Sequence, residues 1–260
     1  MSDAPLTLAP QPLMSAAGNR LGIAHFLLWL AATAVVLTAF RPVLSDNVFP
    51  IAGSSGGRFS SHEHFVACVA VATIAPIWGA ALAGLGLAGW RRVCGGALFP
   101  VYPGHWLLLV VGSGVVAILP FPEIARLGGS LSGGRTGVLN LAPSVAVAVA
   151  LAVLVVATRK LDTDSPWQPL FLSLAVSCGV MLIGFLWDAA RFHSRQENEF
   201  VLALLGFAWC MIFVFALIAR SIADLCQECK YDALHWVGIA LLPAHLVWLI
   251  VWVWIGGNAV

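Results

Sequence analysis

Residues Leu234–Gly256 read LHWVGIALLPAHLVWLIVWVWIG, with no Asp, Glu, Lys or Arg. A helix of about twenty residues rises about 30 Å, the thickness of a bilayer's hydrocarbon core. Six further runs share this length and character. They are Leu21–Phe40, Phe65–Trp90, His105–Phe121 (beginning a few residues earlier), Leu139–Thr158, Pro169–Asp188 and Phe200–Ala219. Their continuity excludes a barrel, whose strands would be short and alternating. The expected fold is therefore an all-α membrane protein, a polytopic bundle of seven transmembrane helices.

Composition agrees. Charged residues make up 10% of the chain against about 25% in an ordinary soluble domain. So few charges cannot keep 260 residues dispersed in water. The net charge of +1 gives no reason to expect a nucleic-acid partner. Residues 1–20 contain no basic residue before Arg20 and are rich in Pro and Gly, so they read as a disordered polar tail rather than a signal peptide. The expected organisation is that tail followed by one seven-helix domain over 21–260.

Seven spans put the termini on opposite faces. With the N-terminus inside, the inner segments carry Arg20, Arg91, Arg92, Arg159, Lys160, Arg220 and Lys230; the outer ones carry Arg41, Arg58, Arg126, Arg135, Arg191 and Arg195. The totals nearly balance. The inner charges abut their helices more closely, which favours an N-in, C-out protein of bacterial inner-membrane type. Trp90, Trp167, Trp187 and Trp236 mark span ends, as interfacial belts do.

Within the second span, Ala75, Gly79 and Ala83, and also Ala80, Gly84 and Ala88, recur every four residues. Small residues at that spacing let helices approach closely, so this span is expected inside the bundle. Pro76 and Pro243 are expected to kink their helices. The glycine-rich stretch Gly128–Gly137 reads as a flexible connector, lacking the lysine of a phosphate loop.

Residues that can carry chemistry gather at one depth. His25, His105 and His235 open the odd-numbered spans, which all run the same way, and Cys94, Cys226 and Cys229 sit on the same face. Imidazole and thiolate suit zinc or copper, so Cys226, Cys229, Cys94 and His235 form a candidate metal set. His25, His105 and His235 are candidate cofactor ligands, for haem in particular. A single Cys-x-x-Cys is only half a zinc motif, and the ordinary reading is packing and solvated thiols. His62-Glu-His64 and His193 read as loop residues on the opposite face. Asp188 is spaced to pair with Arg191, and His245 is expected to bond a neighbouring helix. Asp224, Glu228 and Asp232, four apart, would form one acidic stripe on a helix continuing the sixth span.

No catalytic motif is present, so an enzyme is not expected. The leading expectation is a non-catalytic membrane protein, an accessory, assembly or scaffold subunit that contacts lipid and other membrane subunits through its helices. A metal-, haem- or redox-linked protein using the Cys/His set is the alternative. A small-solute transporter is third, disfavoured by apolar spans and the lack of an inverted repeat.

Overall fold

The computed structural model describes residues 23–45, 61–95, 99–127, 134–161, 165–190, 196–226 and 231–258. Among them the chain is entirely helical: α1 (Ile23–Ser45), α2 (Ser61–Gly95), α3 (Pro103–Ile118), α4 (Phe121–Leu127), α5 (Gly134–Lys160), α6 (Gln168–Ala190), α7 (Gln196–Cys226) and α8 (Ala233–Asn258). Five stretches are long and apolar enough to cross a membrane: Ile23–Arg41, Cys68–Cys94, Pro103–Ile124, Leu141–Lys160 and Ala208–Cys226. The described apolar parts of α6 and α8, Gln168–Gly184 and Ala233–Leu249, are shorter.

Each run singled out in the sequence forms one of the long helices. The short α4 was not expected, and α5 already begins at Gly134, inside the stretch read as a connector. Similarly, α2 starts at Ser61, so His62-Glu-His64 belongs to a helix rather than a loop. The N-terminal tail, His193, Arg191, Glu228 and Cys229 lie outside the described residues, as does the side chain of Asp188.

The core draws on every long helix, with Val36, Ile74, Leu107, Leu154, Phe171, Leu217 and Leu242 all buried in one cluster. Lipid tails are as apolar as these side chains, so close packing and polar contacts, rather than exclusion of water, hold membrane helices together. The small residues of α2 show how. A Cβ on Gly79 would lie 2.2 Å from Thr33 Oγ1 on α1, and one on Gly84 would lie 2.8 Å from a Leu108 methyl on α3. The two stripes thus serve different neighbours, and α2 packs against α1, α3 and α8. By contrast, α7 touches α6 and α8 only sparingly. The space between α3, α6 and α7, lined by Leu107, Trp167, Phe171 and Phe213, is apolar and too narrow for water.

The tightest approach is between α3 and α8. A Cβ on Gly104 would lie 2.0 Å from the His235 carbonyl oxygen, and one on Gly238 would lie 1.8 Å from the Gly104 oxygen. Two glycines bring two backbones into contact where the parallel helices begin. That contact positions the polar cluster described next.

Candidate functional site

Asp232 immediately precedes α8, and its Oδ1 accepts the backbone N–H of His235 at 2.9 Å. This is helix N-capping: a carboxylate answers a free first-turn donor at the positive end of the helix dipole. The same oxygen accepts Nε2–H of His105 on α3 at 2.8 Å, while Oδ2 faces the Arg91 guanidinium of α2 at 3.3 Å. One carboxylate therefore joins three helices. Burial pushes its carboxyl up, but the bonds from His105 and the His235 N–H, with the nearby Arg91 charge, outweigh this and hold it below the usual carboxylate range.

The bonds fix what each imidazole offers. Nδ1 of His105 accepts backbone N–H groups of Val101 at 3.3 Å and Tyr102 at 3.5 Å. Its other nitrogen donates to Asp232. A catalytic His–Asp pair needs the far nitrogen free to take a proton from a nucleophile; here backbone donors occupy it. In His235, Nδ1 accepts the Gly104 N–H at 3.0 Å, so the neutral ring carries its proton on Nε2. Among the described residues that N–H is fully buried without a hydrogen-bond partner. Tyr231 stacks on the ring at 3.9 Å, and Tyr102, Trp167 and Trp236 stand nearly perpendicular to it at 6.1, 6.1 and 5.1 Å. Such a box offers aromatic π faces to an N–H edge.

A second polar group lies alongside. Asp224 near the end of α7 is fully buried, paired with Arg220, and accepts Trp167 Nε1–H at 2.9 Å. Arg220 also lies 5.9 Å from the centre of the Trp167 ring. Trp167 thereby links the Asp224–Arg220 pair to the His235 box. It is 2% exposed, so it stands at the start of α6 but faces into the core. Trp90, at 68% exposure, remains free to sit at the membrane boundary.

The structure thus brings together two of the expected site residues, His105 and His235. His25 is half-buried on α1, which packs against α2 and α4. Cys94 and Cys226 are exposed at the ends of α2 and α7. Among the described residues no group of three or more His, Cys, Asp or Glu is arranged to hold a metal ion. As bonded, His105 has no spare lone pair, and His235 presents an N–H at Nε2 where a metal would need a lone pair. The acidic stripe does not form as a surface: Asp224 turns inward and Asp232 caps the next helix. The sequence reading missed Asp232 as a helix cap and Gly104 and Gly238 as the contact that seats it. An Asp directly before an apolar helical run was the available signal.

Deeper in the bundle, His245 Nδ1 accepts Trp78 Nε1–H from α2 at 3.2 Å. The neighbouring helix was expected, and the partner on it is an indole. Trp248 donates to Thr73 Oγ1 at 2.9 Å, and Trp29 donates to the Pro76 oxygen at 2.8 Å. Comparison of the chain with protein-family models, curated proteins and solved structures returned no match.

Proposed function

We propose that the chain is a seven-span inner-membrane protein, N-terminus inside, acting as a non-catalytic accessory, assembly or scaffold subunit through helix–helix contacts. The observation that supports this most is the internal closure of the polar cluster. His105 uses both ring nitrogens, Asp232 uses both oxygens, and Asp224 is occupied by Arg220 and Trp167. The cluster works as a latch that clamps one end of α2, α3, α6, α7 and α8. Outward faces remain for partners: Ile212, Phe215, Ile218 and Ile222 of α7 and Phe26, Leu27 and Leu30 of α1 are exposed apolar residues. The narrow apolar space under α7 is a poor path for a polar solute.

Purification from the native membrane in mild detergent tests the reading. The expected result is a colourless, metal-free protein that retains a defined membrane subunit in fixed ratio. Stoichiometric zinc or copper, or a Soret band lost when His25, His105 or His235 is replaced, would overturn it in favour of the metal- or haem-linked alternative.

A further inference from the structure

His245 is the second buried-side imidazole with one nitrogen committed, and it differs from His235 in what surrounds the other. Because Trp78 Nε1–H can only donate, Nδ1 of His245 must accept, and the neutral ring carries its proton on Nε2. No acceptor for that N–H occurs among the described residues. Among the described residues the box of perpendicular rings found around His235 is absent: the ring contact of His245 is the tilted Trp78, at 6.3 Å and 46°. His245 is half-buried rather than sealed.

Its depth sharpens the problem. Trp78 lies ten residues into the membrane-length stretch Cys68–Cys94, roughly 15 Å from that end. Water is scarce there, and an unsatisfied donor in hydrocarbon is costly. Phospholipid ester carbonyls cannot help, because they lie at the headgroup boundary, about 15 Å from the bilayer centre. The acceptor must itself be lipid-soluble and reach mid-depth. The surroundings are aromatic: Trp78 is buried in the core, 5.4 Å from Phe40 of α1 and 6.3 Å from His245, and the partly exposed Trp248 follows one turn later on α8. Flat rings favour a flat partner.

We propose that His245 Nε2–H binds the carbonyl of a lipid-soluble quinone-type molecule, whose ring packs beside the partly exposed Trp248 of α8. Binding is the whole of the proposal; no electron transfer is implied. The site lies apart from the Asp232 latch and does not depend on it.

Decylubiquinone is a suitable probe, titrated into the full-length protein in nanodiscs while tryptophan fluorescence is read. Saturable quenching is expected, with at least tenfold weaker binding in His245→Leu and no more than threefold weaker binding in His245→Gln, which retains an N–H donor. Infrared difference spectra of the unsubstituted protein should show one quinone carbonyl band moved to lower wavenumber. This second readout needs no variant, so a misfolded substitution does not blunt the test. Quenching that rises linearly with quinone, as simple partitioning gives, or an unshifted carbonyl band, would overturn the proposal. So would a protein that ignores quinone but loses an oligomer on His245 substitution, since the donor would then serve a partner helix.

Discussion

Asp232 joins three helices at its end of the bundle. It caps α8, accepts from His105 and faces Arg91. Replacing it by Asn keeps the shape but removes the charge that makes these bonds strong. Hydrogen bonds to charged groups each contribute about 1.5–3 kcal/mol, and Asn can retain part of the cap. Asp232→Asn should therefore lower stability by about 2 kcal/mol, read from thermal or denaturant unfolding in detergent. The pH dependence has a definite sign. The folded carboxyl is held below its usual range, so its contribution is complete above the ordinary carboxylate pKa of about 3.9. It disappears as the pH falls through the lower folded value. The unsubstituted protein should lose stability along that acid limb, and the Asn variant should lose less there. An equally steep acid limb in the variant would mean that some other carboxylate dominates.

At the level of elements, the α3–α8 contact is the joint on which the latch depends. A Cβ on Gly238 would meet backbone oxygen, which cannot move aside like the end of a side chain. Gly238→Ala should separate the helices and cost about 1–3 kcal/mol. Gly86, on the open side of α2, has nothing within 4 Å of a Cβ, and Gly86→Ala should be neutral or stabilising by up to about 1 kcal/mol. The comparison is read by melting both variants; equal effects would show that helix propensity, not the close approach, decides. These elements also show why parts of the fold were legible in the sequence and others were not. Length and apolarity placed each long helix, and the spacing of Ala75, Gly79 and Ala83 identified α2 as a packing helix. Gly104 and Gly238 carry no such periodic signal, because no small residue stands four positions from either: Leu108 follows Gly104, and Leu234 and Leu242 flank Gly238. Their meeting depends on tertiary register. The same holds for the Asp224–Trp167 and Asp232–His105 bonds: depth along the membrane could be read from the chain, but angular position around the bundle could not.

For the whole molecule, the bonds gather the ends of α2 and α7 with the beginnings of α3, α6 and α8. Arg91 meets Asp232, Asp224 meets Trp167, and Trp167 meets His235. Cys94 follows Arg91 by three residues and Cys226 follows Asp224 by two, so both exposed thiols belong to this one end. Sidedness then becomes a test of architecture that needs no assumption about function. Two single-cysteine versions, one retaining Cys94 and one retaining Cys226, can be treated with a membrane-impermeant maleimide in intact cells and in inverted vesicles. Both thiols should react from the same side, because an up-and-down arrangement of α2 and α7 leaves no other choice. With the N-in orientation favoured by the basic pairs Arg91-Arg92 and Arg159-Lys160, that side is the interior, and labelling should appear only in inverted vesicles. Labelling of both from outside would reverse the orientation and leave the fold intact. Labelling from opposite sides would break the fold itself, since the latch could not then draw these helix ends together.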